Sequence, residues 1–429
     1  MRMMFWKLVY NAFVLPILFF LFRFGSLFNK KIKVGIEGRT DLFNLLEQKI
    51  STLSGKKRFL FHASSLGEFE QAKPIIAALK ERFPKKIDVI VSFFSPSGYE
   101  NSKTYKLADV ICYIPFDTPW NASRFVNIIQ PTAVVILRYD VWPNFIWSLK
   151  KRNIPLFIVN ATMKKKSPRL FPLILQFHKY LYNSFNYILT VSNDDAHAFQ
   201  QFGITQPLLA PIGDTRFDQV LRRSVDAYQR QIFSRSVIKG KKIFVVGQSW
   251  PEDDDVVLPV LFKLLKQHSS LLTIIVPHEP TVEHLEDLED KLGHRCSYIR
   301  FSEMNKYNGE QVILIDSVGI LVALYQYAHV VYVGGSFRQG VHNVLEPAIF
   351  GTPVLYGPKH LNSQEAIELA KRGGAFVVQN EKDLYRRLRS LLENDDLRKR
   401  AGTIAKSFVE ENCGATERFL QYFEPYIKP

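Results

Sequence analysis

Seven residues, His62-Ala63-Ser64-Ser65-Leu66-Gly67-Glu68, close an apolar run (RFLF) and open a segment with helical spacing, QAKPIIAALKERF. Small residues let a substrate approach the backbone, and a helix start offers unpaired N–H groups. Glu68, standing there, could take a proton from a sugar hydroxyl. The plainer reading is that Glu68 only favours the positive end of the helix dipole. Ser65 and Gly67 are cleft candidates beside it. A second cluster, Arg138-Tyr139-Asp140-Val141-Trp142-Pro143-Asn144, ends the run AVVIL and adds Asp140. Its plainer reading is a turn in which Trp142 packs and Asn144 caps the next helix. Gly213-Asp214-Thr215-Arg216-Phe217-Asp218 reads as a loop whose Arg216 could meet an anionic group.

The second half carries a nucleotide-like signal. Gly334-Gly335-Ser336 follows HVVYV, and Val341-His342-Asn343-Val344-Leu345-Glu346-Pro347-Ala348 comes shortly after. The glycines permit close backbone approach, and a helix beginning near Asn343 would aim its N–H groups at phosphate. Glu346, one turn in, could accept hydrogen bonds from ribose hydroxyls. Neither GxGxxG nor GxxxxGK[ST] occurs, which argues against hydride-transfer cofactors and P-loop chemistry. Ser249 (GQSWPE) and His278 (VPHEP) stand at two further strand ends. An isolated histidine such as His278 reads more plainly as a satisfied structural residue. His278, Glu279, His284 and Glu286 lack HExxH spacing, so no metal site is expected.

These residues need elements to hold them. Short β-branched runs alternate with helical stretches, pause over Asp218–Lys242, and restart with KKIFVVGQSW, LLTIIVPHE, QVILID, HVVYVGGS and TPVLYG. The pattern predicts an α/β protein of two doubly wound parallel-sheet domains with a linker near 220–240. The expected boundaries are 1–29, 30–225 and 226–429, with the last helices crossing back. Ligands of such sheets bind at the carboxyl ends of the strands, where the candidates lie.

Leu8–Phe22 is fifteen residues without a charge, bounded by Lys7 and Arg23 and interrupted by Asn11 and Pro16. At 1.5 Å per residue it covers about 22 Å, short of a bilayer core of about 30 Å. It predicts membrane attachment, either spanning once or lying in the interface. Lys30, Lys31 and Lys33 then leave the remainder on the cytoplasmic side. With 47% apolar residues the chain is neither disordered nor collagen-like. Three scattered cysteines exclude a disulfide framework, and a net charge of +15 calls for an anionic partner.

HASSLGE, YDVWPN, GDTRFD, VGGS, HNVLEPA and TPVLYGP, in this order and over nearly the whole chain, resemble the 3-deoxy-D-manno-octulosonic acid (Kdo) transferases. The resemblance implies a GT-B fold, two Rossmann-like domains facing across a cleft. It implies no metal or cofactor, and an inverting transfer of Kdo from CMP-Kdo to a phosphorylated lipid A precursor at the inner membrane. Glu68 would be the base. His278 and Glu279, where the family usually has Arg-His, would contact CMP. So would Val318, Gly319 and Ile320, where Met-Gly-Glu is common, and Asn343, Val344, Leu345 and Glu346. Arg138 and Asp140 stand where two glutamates are usual. The rivals are another GT-B lipid-linked sugar transferase and a membrane-bound binding protein that has lost catalysis. Nucleic acid, suggested by charge alone, has no RNP-like motif or basic recognition helix behind it.

Overall fold

The computed structural model describes residues 2–164 and 167–428. Its contacts divide the chain into two compact units, Met1–Gln219 with Cys413–Pro429, and Val220–Asn412. Each unit is built on one parallel seven-stranded sheet. In the first unit the strands are β1 Lys57–Ala63, β2 Ile87–Phe93, β3 Val110–Tyr113, β4 Ala133–Leu137, β5 Leu156–Ala161, β6 Tyr187–Thr190 and β7 Leu208–Pro211. Their order is β3-β2-β1-β4-β5-β6-β7. In the second they are β8 Lys242–Ser249, β9 Leu271–Pro277, β10 Tyr298–Arg300, β11 Val312–Leu314, β12 Val330–Val333, β13 Val354–Tyr356 and β14 Ala375–Val377, in the order β10-β11-β9-β8-β12-β13-β14.

The strand sequences explain the layering. Strands such as β4 (AVVIL) and β9 (LLTIIVP) are buried along their whole length, because helices cover both faces. In each unit the winding reverses direction once, between β1 and β4 and between β8 and β12. At such a reversal the connections leave on opposite sides and open a crevice at the strand carboxyl ends.

The pause in the strand pattern is not an open linker. Thr215–Tyr228 is a helix, with Phe217, Val220, Ser224 and Ala227 buried on one stripe. That spacing of three and four residues is an amphipathic helix whose polar face dominates the composition. The division between Gln219 and Val220 falls inside this helix. At the other end of the chain, helix Ala415–Phe423 packs into the first unit. Phe419, Leu420 and Phe423 are fully buried there, with the Phe423 ring 5.0 Å from Phe59 and 5.2 Å from Phe157. Asp218 accepts from the backbone N–H groups of Gly414 (2.6 Å) and Thr416 (2.7 Å), which fastens the returning segment.

Met4–Phe28 is a helical run long and apolar enough to cross a membrane. Tyr10–Val14 inside it is a π-turn, with the Leu15 N–H bonded to the Tyr10 carbonyl. The turn ends two residues before Pro16, whose ring disturbs the regular helix ladder. One side of the run rests on the first unit. Trp6 meets Phe177 at 5.7 Å and Phe22 meets Phe94 at 5.7 Å. Between them, Tyr10 Oη donates to Asp117 Oδ2 (3.0 Å), and the Asn11 and Asn144 side chains exchange hydrogen bonds. Phe13, Phe20, Phe24 and Leu27 face outward and are exposed. The expected Asn144 cap is corrected here: the buried carboxylate of Asp117 caps helix Pro143–Lys151, accepting from the Asn144 and Phe145 N–H groups.

Candidate active site

In the first unit the site forms where the winding reverses. Ser65 ends the turn after β1 as the N-cap of helix Leu66–Arg82, its hydroxyl accepting from the Glu68 N–H at 3.4 Å. The Glu68 carboxylate folds back and accepts from the Ser64 N–H at 2.7 Å. Glu68 is only 8% exposed, and burial raises its pKa, opposed in part by that hydrogen bond. The nearby Asp140 charge also raises it, and His62 lowers it. Directly above Gly67 a Cβ would meet nothing within 4 Å, so a hydroxyl-bearing substrate can approach the backbone there.

His62, near the end of β1, is fully buried between two partners. Its Nδ1 lies 2.9 Å from Ser92 Oγ on β2, and its Nε2 lies 2.9 Å from Asp140 Oδ2 after β4. Trp142 Nε1 also donates to Asp140 (3.2 Å), and its indole stacks on Phe94. Asp140 therefore ties the end of β1 to the end of β4. Below it, Gln71 Oε1 accepts from Arg138 Nε (3.2 Å) and Asn160 Nδ2 (3.0 Å), and Asn160 also donates to Thr215 Oγ1 (2.7 Å). Arg138 and Asn160 hold positive φ values of 61° and 54° at the ends of β4 and β5. Non-glycine residues take that conformation at a cost, and such strain gathers at functional sites. Arg216, expected in a loop, lies instead in the first turn of the helix beginning at Thr215, and its guanidinium pairs with Asp214 at 2.6 Å.

The second unit gathers its candidates at the reversal between β8 and β12. Asp253 is fully buried and accepts from Tyr332 Oη (2.8 Å), the Gly335 N–H (2.7 Å) and the Trp250 N–H (3.1 Å). One carboxylate thus fixes the end of β8 and the loop after β12. The two glycines are needed: a Cβ on Gly334 would lie 2.2 Å from the Gln248 carbonyl oxygen, and Gly335 has φ +90°. Ser336 Oγ accepts from the Gly357 N–H (2.5 Å), joining that loop to the end of β13. Ser249 is buried at the end of β8. Trp250, His278 and His342 stack above this floor, with centroids 4.5 Å apart for Trp250–His278 and 4.4 Å apart for His278–His342. The Arg338 guanidinium lies over the outer face of Trp250 at 3.9 Å.

The helix expected to begin near Asn343 starts at Leu345 and is five residues long. Asn343 is outside it because its Oδ1 accepts from the Leu345 N–H (3.1 Å), a turn that competes with helix at that residue. Asn343 is exposed, whereas Val344 and Leu345 turn their side chains into the core. Glu346 is 6% exposed, and its Oε1 lies 2.9 Å from Arg223 Nη1. In the segment 318–320, Val318 is 80% exposed, the Gly319 carbonyl accepts from Arg230, and Ile320 caps helix Leu321–Tyr325. Glu279 is exposed beside His278.

The family model of the 3-deoxy-D-manno-octulosonic-acid transferases matches residues 39–219. The 3-deoxy-D-manno-octulosonic acid transferase of Aquifex aeolicus is 30% identical over 337 residues, covering 77% of this chain and 85% of that one. The chain belongs to the Kdo transferase family. The Haemophilus influenzae Kdo transferase is 29% identical over 375 residues, 86% of each chain. Among solved structures, UDP-GlcNAc 2-epimerase from Neisseria meningitidis superposes with a TM-score of 0.60 at 13% identity over 86% of this chain. That likeness concerns the fold, which is of GT-B type.

Within this Kdo transferase, β1 and β4 bring Ser65, Gly67, Glu68 and Asp140 to one strand-end cluster, and the β8–β12 reversal gathers Ser249, His278, Gly335 and Ser336. Sequence reasoning missed Asp253, Arg338, Gln71 and Asn160. A signal for Asp253 was present: an acidic residue three positions after Trp250 and next to a proline-started helix is the N3 half of a capping arrangement. The other three had none, because each is fixed by partners distant in sequence.

Proposed function

We propose that this Kdo transferase moves Kdo from CMP-Kdo to a hydroxyl of a phosphorylated lipid A precursor, with inversion at the anomeric carbon. The observation that carries the reading is Glu68: a largely buried carboxylate at a helix start, with open space over Gly67, where an acceptor hydroxyl can reach it. Burial that raises a carboxyl pKa makes it a better base near neutral pH. In the proposed step Glu68 removes the proton as the hydroxyl oxygen attacks, and the bond from the anomeric carbon to the CMP phosphate breaks. The electron pair leaves with CMP.

The segments of residues 278–279, 318–320 and 343–346 would receive the CMP moiety, with Asn343 and the Gly319 backbone as its exposed polar contacts. CMP-Kdo is a substrate, and the reading gives no step to a cofactor or metal. It sets the protein on the cytoplasmic face of the inner membrane, attached through Met4–Phe28. The helix's contacts with the first unit at both Trp6 and Phe22 favour its lying along the interface over spanning. The test is mass spectrometry of the product from CMP-Kdo and a tetra-acylated lipid A precursor, with UDP-sugars as competing donors. A mass increase of one or more Kdo units supports the reading. Transfer from a UDP-sugar alone overturns it.

A further inference from the structure

The stack in the second unit has an asymmetry in its protons. Trp250 Nε1–H donates to His342 Nε2 at 2.9 Å, so that nitrogen carries no proton and His342 is held as a neutral acceptor. The His278 ring lies nearly parallel to it, 8° between planes, and also packs on Trp250 at 4.5 Å. His278 Nδ1 is buried and has no hydrogen-bond partner among the described residues. Two imidazoles 4.4 Å apart cannot both be charged at low cost, and His342 is committed.

The charged groups facing the pair are few. Glu279 favours a proton on His278, Arg338 across Trp250 opposes it, and Glu252 lies 3.8 Å from Arg338. Burial and the neighbouring His278 push His342 down to about 4, and burial lowers His278 too. His342, as acceptor from Trp250, carries no charge, and burial disfavours a charge on His278 beside it.

We propose that His278 takes one proton from solvent when the nucleotide donor binds, and that its imidazolium then holds an anionic phosphate oxygen, with Trp250 and His342 as positioning residues. The inference rests on the CMP-Kdo reading of the second unit. An anion brought beside the ring adds an opposite charge that favours the protonated form. The stack fixes the ring plane, and His342, locked as acceptor, leaves a single site for the proton.

The test is calorimetric titration of the full-length protein with CMP between pH 7.5 and 8.5, where the nucleotide's own phosphate, with a second pKa of about 6, no longer titrates. Buffers of different ionisation enthalpy report the protons taken up. Wild type should take up as much as one proton per CMP, with affinity falling up to tenfold per pH unit. His278→Arg, with a permanent cation, should bind with no proton uptake and a flat pH profile; His278→Gln should bind about tenfold more weakly and equally flatly. CMP binding to wild type without proton uptake overturns this inference alone, as does an unchanged pH slope in both variants. If wild type binds no CMP at all, the donor reading itself is wrong.

Discussion

At the scale of single residues, Glu68 has two possible duties, and they separate by substitution. As a cap, it satisfies the Ser64 N–H; as a base, it must be ionised. Glu68→Gln keeps a carbonyl oxygen for that N–H and cannot take a proton. Its transfer rate should fall by a factor on the order of 10² to 10⁴, with melting temperature held. Glu68→Ala should lose the rate and also about 1 kcal/mol of stability, the usual worth of a lost helix-start bond. Unchanged turnover in a folded Glu68→Gln protein would leave only the cap. The pH profile follows from the same burial. A base works when deprotonated, and the folded pKa is raised, so kcat/KM should be lost as pH falls through a limb lying above the ordinary glutamate value of about 4.3. A limb at or below that value would contradict it. In the second unit, on the proposed CMP-Kdo reading, Asn343→Ala should raise the Kd for CMP severalfold in calorimetry and leave the fold intact, since Asn343 is exposed.

At the scale of elements, the sites are products of strand order. Ser65 and Glu68 follow β1, Asp140 follows β4, and the two strands are neighbours only because the sheet winds outward from their junction. The same holds for Trp250 after β8 and Gly335 after β12. The returning helix Ala415–Phe423 belongs to this scale as well. Phe423 is fully buried against Phe59 on β1 and Phe157 on β5. Phe423→Ala should cost about 3–5 kcal/mol, read as an earlier midpoint in denaturant unfolding of the first unit. A loss under about 1 kcal/mol would mean that the helix does not hold that core.

At the scale of the whole molecule, the open question is what the outward face of Met4–Phe28 meets. Its exposed phenylalanines lie opposite the face that rests on the protein, and Arg23, Lys30, Lys31 and Lys33 lie exposed at its end. That arrangement suits a leaflet with anionic headgroups. Replacing Phe20 and Phe24 by Glu should shift the protein from vesicles to supernatant in flotation, while transfer to a detergent-dispersed acceptor continues. Retention on vesicles after both substitutions would argue for a spanning helix or another attachment. The +15 charge thus has a place to act, though much of it lies on ordinary surface ion pairs such as Arg372–Glu411.

The alternation of β-branched runs and amphipathic stretches determined two parallel sheets by itself, because period and polarity are local properties of a chain. The turns at Glu68 and Gly335 were legible for the same reason: turn glycines and helix-start carboxylates carry their geometry in their neighbours, whereas the helix expected near Asn343 begins only at Leu345. The partners of those residues were not. Asp253 reaching Gly335, Asp117 capping Asn144, Arg223 on Glu346 and the His278–His342 stack each join segments that a strand crossover brings side by side. The helix at Thr215–Tyr228 looked like a linker because its buried stripe, Phe217, Val220, Ser224 and Ala227, is thin and interrupted, and polar residues fill much of the rest. Pairing across a sheet depends on which strands become neighbours, a choice made by the burial of the whole core, so only the tertiary structure decided which side chains meet.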